Sequence, residues 1–183
     1  MIDAHQFESF VRRYQDMVFG TAVRLLGNAA EAEDVAQTVF LRAFQHFDAI
    51  GSSPTAGGWL KTVTRNICLN HLSRYRARWR FFSELRHSDA DDTEGIYEEM
   101  VPSAVSLESE MEQADLRKQL ERALTELPDH QRVPLVLFHF EQLSYSEIAD
   151  ALGVSIGRVK TDIHRGREAL KPILRLLSPD ASS

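Results

Sequence analysis

The segment from Leu143 to Leu170, LSYSEIADALGVSIGRVKTDIHRGREAL, constrains this chain more than any other because its helix signals fall at fixed distances. Ser144 and Glu147 have the spacing of a capping box, which starts a helix. Gly153 predicts the end of that helix, and Ser155 is placed to cap a second one. The spacing predicts two short helices joined by a tight turn, which is a helix-turn-helix.

The second helix of this motif has two different faces. Its apolar face is predicted from residues that recur three or four positions apart, namely Ile156, Val159, Ile163, Gly166 and Leu170. Its other sides carry Arg158, Lys160, Thr161, His164, Arg165 and Arg167. A helical hairpin with a solvated basic face is the alternative interpretation. The coincidence of capping box, turn glycine and one-sided cations favours a helix that enters the major groove of DNA.

The overall charge argues against a nucleic-acid partner, but the distribution of charge removes the conflict. The chain has a net charge of -6, and its sequence pI is about 5.6. Residues 81–115 contain 11 acidic residues and 1 basic residue. Residues 1–80 contain 10 basic and 7 acidic residues, so the first part of the chain is basic by itself. The acidity therefore belongs to one segment.

The single cysteine and the hydropathy pattern exclude several classes of protein. Cys68 cannot form a disulfide within the chain, and no Cys/His cluster has zinc-ligand spacing, so we expect a buried apolar role for it. No stretch of about 18 apolar residues is present, and the N-terminus lacks the pattern of a signal peptide. We expect a cytoplasmic protein without membrane insertion, cofactor or metal.

The periodicity predicts an all-α fold made of two small helical domains. One helix ends at Gly27-Asn28, and the predicted elements that follow are helices over about 30–47, 58–78, 106–126 and 130–141, with an exposed loop over 51–58. The predicted domains are residues 1–80 and 112–177. A flexible acidic linker over 81–111 joins them, and a disordered tail covers 178–183.

The third predicted helix combines cations with aromatic residues. Residues 60–80 contain no acid, and their cations are Lys61, Arg65, Arg74, Arg76, Arg78 and Arg80. Interleaved aromatic residues and cations suit single-stranded DNA, whose bases stack on aromatic rings. Asn66 and Asn70 share a helix face, and their amides can read unstacked bases. A core role for Trp59 beside a solvated basic helix end is the alternative.

Three acids, Glu31, Glu33 and Asp34, begin the second predicted helix. Grouped carboxylates can perform acid–base chemistry or bind metal, but no histidine or further acid lies at a catalytic spacing. An acidic helix start more often stabilises the helix dipole or binds a basic partner.

Together these motifs resemble the sigma-70 family of bacterial RNA polymerase sigma factors, in the extracytoplasmic-function (ECF) group. In the first part, the resemblance rests on EAEDVAQ at 31–37, Val39-Phe40, Trp59-Leu60 and Arg65-Asn66. In the second part, it rests on Leu127-Pro128, YSEIA at 145–149, LGVS at 152–155 and Val159-Lys160. The resembling blocks cover about residues 7–80 and 112–175.

The resemblance implies a role in promoter recognition rather than catalysis. It implies that the −35 element is read as duplex by Ser155, Arg158, Lys160, Thr161, His164 and Arg165. It implies that the melted −10 element is held by Lys61, Arg65, Asn66, Asn70, Arg74 and Arg76, together with the 51–58 loop. It implies that the β′ clamp helices of core RNA polymerase are bound by Glu31, Glu33, Asp34 and Gln37.

The remaining implied contacts concern other partners. The resemblance implies that helix 133–140 partly faces the β flap and that the acidic linker runs toward the RNA exit path. Sigma factors of this group are often held by an anti-sigma factor.

Three positions depart from the family pattern, and one of them is Ser73, which stands where arginine is frequent and lies next to Arg74. Asp162 stands where a basic residue is usual, and its carboxylate is expected to repel phosphate or accept from a cytosine amino group. Arg158 stands where a small hydroxyl residue is common. Two other functions stay open at this point. They are a LuxR-like helix-turn-helix regulator with an N-terminal sensing or dimerisation domain, and a helical enzyme or adaptor with a DNA-binding tail.

Overall fold

The structure is a computed structural model that describes residues 3–73 and 110–177. Every regular element in these two ranges is a helix, which confirms the predicted all-α class. The helices are α1 (Ala4–Leu26), α2 (Ala29–Gln45), α3 (Phe47–Ile50), α4 (Ala56–His71), α5 (Glu110–Glu126), α6 (Asp129–His139), α7 (Tyr145–Leu152) and α8 (Ile156–Leu177). Most of the predicted acidic linker and the predicted C-terminal tail lie outside the described residues.

Local signals in the sequence set most of the helix boundaries. Gly27 has a φ of 67°, and its N–H donates to the Val23 carbonyl, so α1 ends there. Asn28 caps α2 by accepting from the Glu31 N–H at 3.1 Å. The predicted 51–58 loop is too long, because the Trp59 N–H already donates to the Thr55 carbonyl at 3.0 Å. α4 therefore begins at Ala56.

The first group of helices packs α1 against α2 and α4. Val18, Leu25, Val39 and Leu60 are completely buried in its core. Cys68 is also buried there, and burial raises the pKa of its thiol to about 12, with Glu141 contributing in the same direction. The predicted apolar role of this cysteine is confirmed.

The aromatic residue that begins the basic stretch also belongs to the core. Trp59 is half-buried against the core, and its ring meets the His46 ring edge-on with centroids 5.9 Å apart. The structure thus favours the alternative reading of this residue as a packing residue. It is not a free stacking surface for a base.

The second group of helices is built around α6, whose residues Val133–Leu137 are all buried. α8 approaches α6 closely at Gly166, where a Cβ atom would lie only 2.8 Å from the Leu135 Cδ1 atom. The predicted apolar face of α8 is confirmed except at Ile156, which is 45% exposed. Residue spacing predicts which side of a helix is buried. It does not predict how far along that side the neighbouring helices cover it.

The two groups of helices contact each other through a buried arginine. Arg132 of α6 is 3% exposed, and its guanidinium donates to the carbonyls of Leu25 at 3.3 Å and Leu26 at 3.1 Å, at the end of α1. The same side chain donates to the Leu127 carbonyl at 2.8 Å and pairs with Asp129. A cation on the last carbonyls of a helix complements the negative end of its dipole.

A second contact between the groups lies beside Arg132. The Arg24 guanidinium of α1 binds the Glu121 carboxylate of α5, with Nε to Oε1 at 2.8 Å and Nε to Oε2 at 3.1 Å. The same guanidinium lies 4.6 Å from the centre of the Phe140 ring. These contacts fix the end of α1 against α5 and α6.

Candidate nucleic-acid interface

The helix-turn-helix forms as its sequence signals predict. The Ser144 N–H donates to the Glu147 carboxylate at 2.7 Å, and the Glu147 N–H donates to the Ser144 hydroxyl at 3.2 Å. The hydrogen bond from the Ser144 backbone lowers the pKa of Glu147, which keeps its carboxylate charged. Gly153 ends α7 with a φ of 66°, a left-handed conformation that glycine adopts without strain. The capping box and turn therefore fix the angle at which α8 leaves α7.

The polar side of α8 is exposed as a DNA-reading face requires. At about 100° per residue, Thr161 and Arg165 project from the side opposite the buried Val159 and Ile163. Lys160 is exposed at one margin of this side, with its ammonium 6.0 Å from the centre of the Tyr145 ring. Of the six residues predicted to read the −35 element, Lys160, Thr161 and Arg165 are thus exposed on α8, Ser155 is exposed directly before it, and His164 is half-buried.

Arg158, the sixth, is held by its neighbour one helical turn away. Its Nε donates to the Asp162 Oδ2 at 2.6 Å, and the two side chains are 17% and 6% exposed. The expectation that the Asp162 carboxylate meets DNA directly is wrong, because the residue is only 4% exposed. The side chain turns toward α6, whose His130 and Pro134 line the same small depression. Periodicity could not reveal this, since a carboxylate at the margin of a helix face is normally solvated.

The candidate −10 surface on α4 is divided between solvent and the second group of helices. Asn66 and Asn70 are exposed and one turn apart, as their spacing predicts. Lys61 is half-buried, and its ammonium donates to the Phe140 carbonyl at 3.1 Å and lies 3.9 Å from the Glu141 Oε1. Arg65 is half-buried on the same helix. Arg74 and Arg76 lie outside the described residues.

Glu141 contributes to this surface although it belongs to no sequence motif. Burial raises the pKa of Glu141, and the positive charges of Lys61, Arg65 and Arg24 act against that rise. Three cations of the first group of helices thus face one carboxylate that follows α6. Nothing in the local sequence distinguishes Glu141 from an ordinary surface acid, so only the packing of the two groups identifies it. Arg132 was missed for the same reason.

The acids at the start of α2 form a mixed surface. Glu33, Asp34 and Gln37 are exposed, whereas Glu31 is half-buried and its carboxylate lies 3.5 Å from the His71 Nε2. Farther along α2, Leu41 is 66% exposed and Phe44 is 44% exposed. The predicted docking acids therefore lie on a helix that also carries exposed apolar residues.

Two classes of site are missing from the described part of the chain. In residues 3–73 and 110–177, no three histidine, cysteine or acidic side chains are grouped so that they could hold a metal ion. No helix in the same ranges is long and apolar enough to cross a membrane.

Comparison with known proteins decides the family. Residues 10–79 match the family described as Sigma-70 region 2, and residues 117–170 match Sigma-70 region 4. The chain is 32% identical over 175 residues to the ECF RNA polymerase sigma factor SigW of Bacillus subtilis, covering 94% of this chain and 91% of that one. The chain belongs to the ECF family of sigma factors. An ECF sigma factor is a transcription initiation factor without catalytic activity of its own.

Another relative agrees with this assignment. The chain is 32% identical over 177 residues to the RNA polymerase sigma-H factor of Pseudomonas aeruginosa, covering 94% of this sigma factor and 90% of that one. A solved structure of the sigma factor RpoE with the anti-sigma factor NepR from Bartonella quintana is similar at 24% identity and a TM-score of 0.46, with 93% and 97% of the two chains covered. A LuxR-like regulator is excluded, because residues 10–79 are not a sensing domain but sigma region 2.

Proposed function

We propose that this chain binds core RNA polymerase and directs initiation at promoters that it reads in two places. In this proposal α8 reads the −35 element as duplex, and α4 holds the melted −10 element. The observation that carries the proposal is the exposed polar face of α8, which a capping box and a left-handed glycine orient away from the core. The membership of both halves in sigma regions supports it.

In the −35 half, exposed polar residues have different tasks. Lys160 and Arg165 are cations that suit phosphates, which hold the helix in register without reading sequence. Thr161 and His164 lie between them in the sequence and are placed to meet base edges. The Ser155 hydroxyl already accepts from the Arg158 N–H at 3.2 Å, so its task is to cap the helix whose N-terminus faces the groove.

In the −10 half, the exposed amides of Asn66 and Asn70 are the groups proposed to read unpaired bases, since an amide both donates and accepts. Lys61 and Arg65 are proposed to bind phosphates of the same strand, together with Arg74 and Arg76. Lys61 already donates one hydrogen bond to the Phe140 carbonyl, so a phosphate is proposed to bind its remaining donors and to gain the whole ammonium if α6 and its following turn move away from α4.

The remaining contacts of the proposal concern proteins. Glu33, Asp34 and Gln37 of α2, with Glu31 beside them, are proposed to bind the β′ clamp helices. The end of α6 is proposed to contact the β flap, because Val133–Leu137 of the same helix are buried in the core. We also propose a cytoplasmic location, because a sigma factor acts where the polymerase and the DNA are. An anti-sigma factor as a binding partner is part of the same proposal.

Run-off transcription with purified core polymerase tests the function. We expect defined transcripts from a subset of promoters when this chain is added, and none from core alone. No promoter-specific product from any promoter of the source genome would contradict the proposal.

Matched variants test the assigned halves. Arg165→Ala should lower transcription from promoters that depend on the −35 element, whereas Arg175→Ala, an exposed cation farther along α8, should not. Asn66→Ala and Asn70→Ala should lower permanganate reactivity of the −10 thymines, whereas the neighbouring exposed Thr62→Ala should leave it unchanged. Charge reversal at Glu33 and Asp34 should weaken binding to core, and reversal at exposed Asp150 of α7 serves as its control.

A further inference from the structure

Two side chains of α8, Arg158 and Asp162, are in direct contact at the margin of its exposed polar face. Arg158 and Asp162 are one helical turn apart on α8. The bond from Arg158 Nε to Asp162 Oδ2 is 2.6 Å, as short as a charge-assisted bond becomes. The two residues therefore form one unit, in which the Asp162 carboxylate binds the Arg158 guanidinium.

The pair is buried enough to be ordered and exposed enough to be read. Asp162 turns inward, into the depression that His130, Pro134 and Leu152 line. Arg158 is still 17% exposed, at the margin of the face that carries Thr161 and Arg165. With Nε bound to the carboxylate, the two terminal nitrogens of the guanidinium are the donors left for another ligand. A guanidinium held in this way offers a fixed two-pronged donor, which matches the O6 and N7 acceptors of guanine in the major groove.

The inner carboxylate oxygen also indicates that the pair has a purpose beyond local stability. Within the described ranges, the buried Asp162 Oδ1 has no hydrogen-bond partner. Burial raises the pKa of Asp162, while Arg158, His130 and Arg165 act in the opposite direction. A buried carboxylate with only one hydrogen-bonded oxygen contributes little to the stability of the fold, since a buried ion pair stabilises a protein about as much as apolar residues of similar volume.

We propose that Asp162 is a positioning residue that orients Arg158, and that this pair gives the sigma factor a preference for guanine at one position of its −35 element. The inference rests on the proposed −35 role of α8. Asp162 itself touches no base. The carboxylate also cancels the charge of Arg158, so the pair contributes to sequence preference more than to general attraction by phosphate.

The test measures sequence preference with the full chain bound to core polymerase. A promoter library randomised in the −35 element, with one fixed −10 element, is transcribed in competition, and the transcripts are sequenced. For the unchanged chain we expect guanine enrichment at one position. Arg158→Lys keeps the positive charge but loses the paired donors of the guanidinium. It should reduce the guanine enrichment about tenfold at that position only, within the range for one bidentate contact.

The positioning role is tested by Asp162→Asn, which keeps the shape of the side chain. It should reduce the guanine preference at the same position by about three- to tenfold, because the arginine must now be ordered at the moment of binding. The double variant should be no worse than Arg158→Lys alone, as expected for coupled residues. Glu168→Gln is the matched control, since it breaks an exposed carboxylate–lysine pair with Lys171 on the same helix.

The outcomes separate a positioning role from a structural one. Thermal unfolding of each variant is measured alongside, and a structural role predicts uniform weakening on all −35 sequences in proportion to the loss of stability. Retained preference in Asp162→Asn, or losses at different positions in the two single variants, would overturn the inference. Absence of any promoter-specific transcript with the unchanged chain would instead contradict the proposed function.

Discussion

Replacing Arg132 with methionine should destabilise this protein more than any change of a surface cation. Methionine has a similar length and fills the same buried space, but it leaves the carbonyls of Leu25, Leu26 and Leu127 without their donor. Asp129 also loses its partner, although it is 31% exposed and regains water.

The size of the effect follows from these contacts. Removing one partner of a buried ion pair costs about 3–5 kcal/mol, and the exposure of Asp129 places this case near 3 kcal/mol. For a chain of this size, that loss corresponds to a decrease of about 6–12 °C in the melting temperature. Urea unfolding followed by circular dichroism at 222 nm gives the free energy, and a thermal scan gives the temperature.

Lys118→Met is the control, because Lys118 is exposed on α5 and its loss should change stability by less than about 0.5 kcal/mol. A second readout measures the distance between fluorophores on cysteines introduced at exposed Arg12 and Lys171, which should increase in Arg132→Met. A loss of stability below about 1 kcal/mol, with an unchanged distance, would refute the reasoning that Arg132 connects the two groups of helices.

Three further predictions concern packing, pH and reactivity. Gly166→Ala should destabilise the protein by about 1–3 kcal/mol in urea unfolding, because its methyl group would meet Leu135. Burial and Arg167 lower the pKa of His139 to about 4, so its folded form binds fewer protons than its unfolded form, and stability should rise from pH 4 to 6.5. The pKa of Glu141 is raised, so its folded form binds more protons than its unfolded form, and its contribution to stability should fall as pH rises above 4.5. When urea midpoints are plotted against pH, His139→Gln should lack the rise in stability that His139 causes. Glu141→Gln should lack the fall in stability that Glu141 causes. Cys68, whose pKa is raised to about 12, should react with a thiol reagent at pH 8 only after denaturation, as absorbance of the released thiolate shows.

Local signals in the sequence were sufficient for the elements, because each signal acts within a few residues. The capping box at Ser144, the left-handed turn at Gly153 and the break at Gly27-Asn28 all depend on neighbouring backbone groups, and the structure confirms each one. Errors occurred where local signals compete. The glycines at 57 and 58 predicted a loop, but Ala56 is buried and the helix continues through them.

Contacts between distant residues could not be predicted in this way. Arg132 lies 107 positions after Leu25, and no periodicity relates an arginine in one helix to the carbonyl end of another. Asp162 and Arg158 are close in sequence, yet their pairing depends on how α6 covers one margin of α8. The candidate residues were thus predictable by type and face, whereas their partners required the tertiary structure.

The contact between Lys61 and the Phe140 carbonyl has a consequence for promoter binding. The Lys61 ammonium has three donors, and one of them is bound to the Phe140 carbonyl, so in the proposed function a phosphate of the −10 strand competes with contacts inside the protein for this cation. The asparagines of α4 and the polar face of α8 are already exposed. Under the proposed function, we therefore expect duplex recognition at the −35 element to need no rearrangement, and the phosphate contact of Lys61 to strengthen if α6 moves away from α4. If the two groups of helices separate during promoter opening, the Arg132, Arg24 and Lys61 contacts oppose it, and we then expect variants that weaken these contacts to favour open complexes at a given promoter.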